Sequence, residues 1–396
     1  MSIATTATSF FSRLPPQPPD PLLKLIGDFA ADPRKDKIDL GVGVYRAPDG
    51  TTPVLVAVKE AEKRLLAEQK SKSYLGPEGN IGFNRALRAL VFGPESDAVS
   101  IQTPGGTGAL RLAMDVIART RPGARVWVGA PTWPNHLALL GAAGLKVVDY
   151  RHFDQQTQKL HFDEALAAFK KAEPGDVVLL HGCCHNPTGA DFSATQWTSL
   201  ADVIAARNLL PLIDLAYQGF GDSFALDVGG PRTVIERSGE ALLAYSCDKN
   251  FALYRERVGA LFAFARDVPV RDSILSNILS CARSNWSMPP DHGAAIVRTI
   301  LEDAVLTRAW RSELKVMHDR IEAMRRALAA AHPDFAAIGT GRGLFSLLPI
   351  DPVGVDWLKE KFGIFMPRSG RINVAGVTLE NLPRLAEAWS RLKAER

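Results

Sequence analysis

Seven short apolar segments alternate with amphipathic stretches through most of the sequence, and this alternation constrains the fold more than any other feature. Helical periodicity between the segments is clear where Leu110, Met114 and Ile117 fall on one face. Strands that alternate with helices form mostly parallel sheets covered on both faces. The sequence therefore predicts an α/β domain with strands at 99–103, 125–129, 145–150, 176–182, 209–214, 242–246 and 259–264.

The last third of the sequence has a different pattern. From about residue 268 it turns helical, and residues 294–331 predict one or two long helices. A chain of 396 residues exceeds one ordinary domain, so a second, smaller domain is expected here. A proline cluster predicts an extended arm before the first helix, placed to pack against the small domain; it consists of Pro15, Pro16, Pro18, Pro19 and Pro21.

Composition narrows the class of protein. Hydrophobic residues make up 46% and charged residues 23%, which is typical of a soluble globular protein. The net charge of +4 and the lack of a basic block give no support to nucleic-acid binding. The first residues lack the pattern of a signal peptide, and no apolar run approaches the ~20 residues of a membrane span. Four cysteines without a disulfide framework favour a reducing, cytoplasmic location.

A glycine-rich loop follows the first predicted strand. In "TPGGTGAL" the glycines Gly105, Gly106 and Gly108 allow a close backbone approach, and Thr107 adds a hydroxyl. Ligands of doubly wound folds bind outside the carboxyl ends of the strands, and a helix that begins there attracts anions. The loop is consistent with phosphate binding and equally with an ordinary tight turn.

Three charged residues follow later strands. Asp214 ends an apolar strand and is either a helix N-cap or a carboxylate for a cationic ligand, with Tyr217 in reach of the same pocket. Lys249 lies beside Phe251, with Arg257 eight residues later. Apolar surroundings and a nearby cation lower the pKa of a lysine, which frees its amine for covalent chemistry.

The segment "HGCCHNPTG" invites a metal hypothesis through His181, Cys183, Cys184 and His185. Structural zinc sites space their thiolates by two to four residues, so adjacent cysteines argue against a metal. No metal is expected. Asn186 is better explained as an amide at a strand exit that points into a crevice.

Aromatic and basic residues complete the candidates. Trp133 follows a strand, beside His136, and is either a core residue or a stacking partner for a flat ring. Arg283 and Arg371 have apolar or aromatic neighbours. Each is either a surface arginine or a bidentate clamp on a carboxylate.

Together these segments resemble the class I aminotransferases, the aspartate and aromatic amino acid aminotransferases that use pyridoxal 5′-phosphate. The resemblance runs from "IDLGVGVYRAPDG" to "RINVAG" and includes "GGTGAL", "PTWPNH", "HNPTG", "DLAYQGF" and "SCDKNFALYRERVG". It looks closest to the bacterial aromatic enzymes. It implies the aspartate aminotransferase fold (fold type I), with a mostly parallel seven-stranded sheet in the large domain. The implied divisions are 1–45 for the arm and part of the small domain, 46–311 for the large domain and 312–396 for the small α/β domain.

The resemblance implies how the cofactor is held. Lys249 would bond to it covalently and move the substrate proton, and Arg257 would bind its phosphate with Ser246 and the Gly105–Thr107 loop. Tyr74 would reach the phosphate from the neighbouring subunit, which implies a homodimer with shared active sites. The ring contacts implied are Asp214 on the ring nitrogen, Asn186 and Tyr217 on the ring hydroxyl, Trp133 stacked on the ring, and His136 behind the aspartate.

The resemblance also implies the substrate contacts. Arg371 would clamp the α-carboxylate beside Asn186 and the Gly43 backbone, and Arg283 would bind the second carboxylate of a dicarboxylic substrate. The implied activity is ping-pong transfer of an amino group from an aromatic amino acid to 2-oxoglutarate. Met288 stands where aspartate-preferring members have asparagine, which favours an aromatic donor.

Other departures and alternatives stay open. Asp248 stands where the family often has serine, and Trp286 where it often has tyrosine. The residues give no reason for Asp248 beyond a side chain that points away. An aspartate or broad-specificity aminotransferase is the main alternative. A non-catalytic cofactor-binding regulator lacks the expected DNA-binding segment, and a lyase or decarboxylase is disfavoured by the two arginines.

Overall fold

The computed structural model describes residues 10–17 and 21–395, and a seven-stranded sheet forms its centre. One strand, Val258–Phe264, is antiparallel to both neighbours, and the others are parallel to one another. Each strand matches a predicted one to within a residue, so the mostly parallel sheet is confirmed. Their spatial order is Val99–Pro104, Val258–Phe264, Ala241–Ser246, Leu210–Leu215, Val177–His181, Arg125–Ala130 and Lys146–Arg151.

Apolar side chains lie on both faces of this sheet. Because side chains alternate along a strand, Leu179 enters one apolar cluster and Leu180 the other. The helix Gly105–Thr120 packs on one face and buries the residues that its periodicity predicted, Leu110, Met114 and Ile117. The other helices around the sheet are Val56–Glu68, Ile81–Phe92, Pro134–Ala142, Phe162–Lys171, Ala194–Ala206, Gly229–Ser238 and Val268–Asn285.

The predicted long helical region consists of two helices, Asp291–Glu302 and Ala304–Ala331. Asp303 separates them with an extended backbone, and its side chain accepts hydrogen bonds from the amides of Val305 and Leu306. An aspartate in this position satisfies free amides at the start of a helix. It therefore begins the second helix and fixes the break.

A smaller unit contains the C-terminal residues and part of the N-terminal region. Its strands form two pairs, Ile38–Asp39 with Ile364–Phe365 in parallel and Phe345–Leu347 with Arg371–Asn373 in antiparallel. The predicted boundary at residues 311 and 312 falls inside Ala304–Ala331, so the domain divisions stay a prediction. The remaining elements are the helices Pro352–Phe362 and Leu382–Glu395, the strands Phe153–Asp154 and Lys159–Leu160, and the 3₁₀ turns Phe10–Arg13, Leu226–Val228, Pro333–Thr340 and Val374–Gly376.

The first helix, Pro21–Ala31, packs on the smaller unit, and it begins at Pro21, which the sequence analysis placed in the extended arm. The ring of Phe29 contacts that of Phe365 edge-on at 5.3 Å between centroids. Residues 14–17 have no regular secondary structure, and the predicted arm prolines Pro18 and Pro19 lie outside the described residues. Within the described ranges, no helix is both long enough and apolar enough to cross a membrane.

Candidate active site

The parallel strands end at one edge of the sheet, and the loops that follow them enclose a cleft of about 300 Å³. The smaller unit closes the opposite side. Residues predicted from separate segments thus meet in one place. The predicted residues that line the cleft are Gly43, Gly106, Thr107, Trp133, Asn186, Asp214, Tyr217, Ser246, Lys249, Arg257 and Arg371.

One end of the cleft is built to receive an anion. A Cβ atom on Gly105 would lie 2.6 Å from Nη2 of Arg257, and one on Gly106 would lie 3.0 Å from Cβ of Ser246. Only residues without side chains let the arginine and serine approach the first turn of the helix Gly105–Thr120 so closely. The free amides and positive dipole end of that turn favour a phosphate there.

Asp248 lies at this same end, and its side chain does not point away from the site. It is 2% exposed and lines the cleft. Its Oδ2 accepts a hydrogen bond from Nη1 of Arg257, and its Oδ1 accepts one from the amide of Val258 at 3.1 Å. The suggestion that Asp248 points away from the site is therefore wrong.

Lys249 lies in the middle of the cleft, with its Nζ 5.4 Å from the centroid of the Tyr217 ring. Among the described residues, the Lys249 amine has no hydrogen bond or ion pair. Burial lowers the pKa of Lys249, and Arg257 lowers it further, while Asp248 and Asp214 act to raise it. The net reduction favours a neutral amine, which is the nucleophilic form.

Asp214 ends its strand with the carboxylate facing the cleft and His136 behind it. Burial acts to raise the pKa of Asp214, but the hydrogen bond with His136 and the electrostatic effects of His136, His181 and Lys249 together outweigh it and lower the pKa. Oδ2 of Asp214 lies 2.9 Å from Nε2 of His136, whose Nδ1 is 2.8 Å from the hydroxyl of Thr132. The carboxylate is held ionised in one orientation, as a partner for a protonated ring nitrogen requires.

A column of buried imidazoles extends from this pair. His136 and His181 lie 5.0 Å apart between centroids, and His181 and His185 4.1 Å apart. His152 then stacks on His185 at 4.1 Å with an interplanar angle of 15°. Burial lowers the pKa of His181 to about 3 and that of His152 to about 4, so both rings are neutral. The column is not apparent from the sequence, because its members come from segments that are distant along the chain.

Trp133 and Tyr217 are two aromatic residues that line the cleft. Trp133 is half-buried and contacts His136 edge-on, with centroids 5.2 Å apart. Tyr217 is buried, which raises its pKa and keeps the hydroxyl protonated as a hydrogen-bond donor. Its ring contacts Phe345 edge-on at 5.9 Å. These surfaces suit a flat aromatic ring.

Arg371 enters from the smaller unit and is the strongest candidate for binding a carboxylate. Its Nη2 donates to the carbonyl of Gly41 at 2.9 Å, its Nη1 lies 3.5 Å from Oδ1 of Asn186, and its guanidinium lies over the ring of Phe345 at 4.4 Å. Its Nε is buried without a hydrogen-bond partner among the described residues, none of which offers it a carboxylate. A guanidinium with a buried Nε that lacks a partner can form a bidentate pair with a carboxylate supplied by a ligand.

Sequence reasoning missed Phe345, because the contact between units brings it to the cleft and no local signal marks it. Thr132 gave a detectable signal, since it lies just after a predicted strand and next to Trp133. Its hydroxyl lies 2.8 Å from His136 and 3.0 Å from His181, so it links the two rings.

Three predicted site residues lie outside the cleft of their own chain. Tyr74 is 94% exposed. The thioether of Met288 accepts a hydrogen bond from the amide of Leu75 at 2.9 Å, and the exposed Arg283 donates to the hydroxyl of Ser287. These residues form one continuous surface, named here the Tyr74–Arg283 surface. A single chain does not bring it to the cleft.

The cysteine motif brings together Cys183, Cys184 and Asp227, whose candidate ligand atoms all lie within 4.8 Å of one another. Both carboxylate oxygens of Asp227 already accept backbone amides, and burial raises the pKa of each thiol. Zinc prefers ionised thiolates and unoccupied carboxylate lone pairs. This cluster is better explained as a buried turn.

The cleft as a whole fits pyridoxal 5′-phosphate. The glycine cradle with Ser246 and Arg257 suits a phosphate, and Asp214 suits a ring nitrogen. The amine of Lys249, which is close enough to Asp214 and Arg257 for both to affect its pKa, suits a covalent bond to an aldehyde. The guanidinium of Arg371, whose Nε has no partner among the described residues, suits a substrate carboxylate.

The chain is similar to known proteins over nearly its whole length. A family model described as aminotransferase class I and II matches residues 35–388. A tyrosine aminotransferase from Rhizobium meliloti (strain 1021) is 48% identical, over 96% of this chain and 100% of the relative. An aspartate aminotransferase from Salmonella typhi is 43% identical, over 96% of this chain and 98% of the relative.

A solved structure shows the same likeness in three dimensions. It is an aromatic-amino-acid aminotransferase from Burkholderia pseudomallei, described as covalently bound to pyridoxal phosphate. It is 39% identical and superposes with a TM-score of 0.94, covering 97% of this chain and 100% of that chain. The likeness therefore concerns the complete fold.

Proposed function

From the premise that this chain belongs to the class I and II aminotransferase family, we propose that it is an aromatic amino acid aminotransferase. It transfers the amino group of phenylalanine, tyrosine or tryptophan to 2-oxoglutarate by a ping-pong mechanism. The family, the aspartate aminotransferase fold and the dependence on pyridoxal 5′-phosphate that the sequence predicted are confirmed. The chain is a pyridoxal-phosphate-dependent aminotransferase.

One observation carries the proposal. The cleft combines the amine of Lys249, the oriented carboxylate of Asp214 and the guanidinium of Arg371, which has no carboxylate partner among the described residues. An amine for covalent chemistry, an acid for a ring nitrogen and a clamp for an α-carboxylate are the three parts that amino transfer requires.

The residues act in a definite order. Arg371 and Asn186 bind the α-carboxylate and fix the orientation of the amino acid. When bound, the cofactor supplies the carbonyl carbon that takes up the amino group and the ring that delocalises the α-carbanion. Lys249 lines the cleft and its pKa is lowered, so its amine would accept the α-proton at Nζ and later give it up again. Asp214 stays ionised and stabilises a proton on the ring nitrogen, and Tyr217 and Asn186 donate hydrogen bonds to the ring hydroxyl.

The aromatic preference is supported by the names of the relatives and by one position of the Tyr74–Arg283 surface. Relatives described as tyrosine and aromatic-amino-acid aminotransferases are 48% and 42% identical to this chain. Met288 is a thioether where aspartate-preferring members have an amide, and a thioether packs favourably against aromatic rings. One apolar contact changes the discrimination between two donors, measured as the ratio of their kcat/KM values, by the equivalent of about 1–3 kcal/mol.

The enzyme acts as a homodimer in this proposal. The Tyr74–Arg283 surface is exposed in one chain, and it carries the residues assigned to the phosphate and to a second carboxylate. A second copy supplies these residues if the active sites are shared. The four cysteines are free, which supports a reducing, cytoplasmic location.

Aspartate amino transfer is the second candidate, because a relative of that name is 43% identical over nearly the same span. A panel of phenylalanine, tyrosine, tryptophan and aspartate with 2-oxoglutarate separates the two. We expect higher kcat/KM values for the aromatic donors. Far better turnover of aspartate than of every aromatic donor overturns the aromatic assignment.

A further inference from the structure

A buried carboxylate lies beside the groups assigned to the cofactor's phosphate. The side chain of Asp248 is 3% exposed, whereas that of Arg257, its ion-pair partner, is 44% exposed. The amide of Val258 also donates to Asp248, so the carboxylate is fixed at two points. Sequences of this family often place a neutral serine at this position.

Asp248 lies next to the first turn of the helix Gly105–Thr120. A Cβ atom on Gly105 would lie 3.1 Å from Oδ2 of Asp248 and 2.6 Å from Nη2 of Arg257. The carboxylate is therefore close to the arginine and to the positive end of the helix. A phosphate in this end of the cleft uses the same two positive features.

Charge balance decides what this proximity does. Arg257 with a neutral neighbour offers a phosphate one full positive charge, but Asp248 cancels that charge. Because the carboxylate is buried, water screens its repulsion of a phosphate weakly. A site of this kind holds a phosphate less tightly than the same site with serine.

The alternative is that Asp248 strengthens phosphate binding by orienting Arg257. Two other contacts already limit the position of the guanidinium, because Nη1 also donates to the carbonyl of Tyr254 at 3.3 Å and Nη2 lies against Gly105. The arginine thus keeps its position without Asp248, and repulsion is the larger effect.

We propose that Asp248 is an internal counter-anion that competes with the cofactor's phosphate for Arg257 and the helix terminus. It weakens the hold on pyridoxal phosphate and stabilises the cofactor-free chain, which makes the cofactor exchangeable. This inference rests on the proposed function, in which this end of the cleft binds the phosphate.

The test compares the wild type with Asp248→Asn after removal of the cofactor. Dissociation constants are measured for pyridoxal 5′-phosphate, inorganic phosphate and pyridoxal, which lacks the phosphate. Relative to the binding of pyridoxal, we expect Asp248→Asn to bind both phosphate-bearing probes about tenfold more tightly. Equal or weaker binding of those two probes by the variant overturns the proposal.

Three controls separate the possible causes. Asp222→Asn, at an exposed carboxylate paired with Arg342 at 2.7 Å, should leave all three constants unchanged. Asp248→Asn should lower the melting temperature of the cofactor-free wild type, because Asp248 stabilises that chain through Arg257. In an Arg257→Gln background the same substitution should not lower the melting temperature. Asp248→Ser gives the same comparison if the asparagine variant folds poorly, and equal or weaker phosphate binding by it also overturns the proposal.

The same series distinguishes failure of the inference from failure of the proposed function. If the wild type binds pyridoxal phosphate no better than pyridoxal, the assignment of this end of the cleft to a phosphate is wrong. If the wild type discriminates between them and Asp248→Asn does not bind more tightly, only the role of Asp248 is wrong.

Discussion

Nε2 of His136 lies 2.9 Å from Oδ2 of Asp214, and the imidazole is fully buried behind the carboxylate. This contact lowers the pKa of Asp214 against the opposing effect of burial. The carboxylate that faces the cleft is thus held ionised in part by a histidine packed behind it.

Replacement of Asp214 by asparagine should leave the fold and cofactor binding intact but slow turnover. Breaking a buried charge pair costs roughly 3–5 kcal/mol. If most of that cost appears in the transition state, kcat falls by about two to four orders of magnitude. Stopped-flow measurement of each half-reaction tests this, with the exposed Asp356→Asn as a matched control. Near-normal turnover would remove Asp214 from its role.

Replacement of Lys249 by alanine should abolish nearly all turnover and the visible absorbance of the covalently held cofactor. The reason is that the variant lacks the Lys249 amine, which would bond covalently to the cofactor. Lys315→Ala, at a 73% exposed side chain, is the matched control and should keep both signals. An unchanged absorbance band in the Lys249 variant would refute the assignment.

Replacement of Arg371 by glutamine should raise KM for amino acids and keto acids alike. A hydrogen bond to a charged group contributes about 1.5–3 kcal/mol, so kcat/KM should fall roughly 10- to 100-fold for each substrate. Arg371→Lys should recover little, because lysine lacks the planar fork. Arg368→Gln, three residues away and 67% exposed, is the control. An effect on donors alone would contradict a shared α-carboxylate clamp.

The imidazole column should make the fold sensitive to mild acid. Burial lowers the pKa of His152 from 6.5 to about 4, so the unfolded chain takes up a proton that the folded chain does not. Stability from this group is complete above about pH 6.5 and falls as the pH drops towards about 4, by roughly 3 kcal/mol at most.

Urea unfolding at about pH 7 and about pH 5 measures this loss of stability. We expect a smaller loss between the two pH values for His152→Phe than for the wild type, because phenylalanine takes up no proton in the unfolded chain. The exposed His292→Phe is the control and should behave as the wild type. An equal loss in His152→Phe would exclude this histidine as a source of the acid sensitivity.

Sequence patterns predicted the parts of the site that lie next to strand ends. The strand preceding Asp214 and the glycine turn after Val99–Pro104 were recognisable locally, because apolar runs and glycines mark them. The resemblance to the class I aminotransferases then implied roles for these residues that the apolar runs and glycines do not indicate by themselves. These roles stay predictions for the individual residues.

Features that arise from contacts distant in sequence were not predictable. Phe345 reaches Arg371 only because two short strands of the smaller unit pair, and the column ending at His152 joins segments that are distant in sequence. Asp248 pairs with Arg257, which directly precedes the strand Val258–Phe264. The sequence did not reveal that this strand is antiparallel to its neighbour. In each case tertiary structure supplies the partner.

The reversed direction of Val258–Phe264 has a consequence for how this enzyme can evolve. Ser246 ends one strand and Arg257 precedes the next, and Gly259 pairs with Ser246, so the connecting loop is anchored at both ends. Lys249 lies inside that closed loop. Substitutions within the loop are compatible with this arrangement, but insertion or deletion of a single residue displaces the amine relative to both anchors. The loop is thus constrained in length more strictly than in composition.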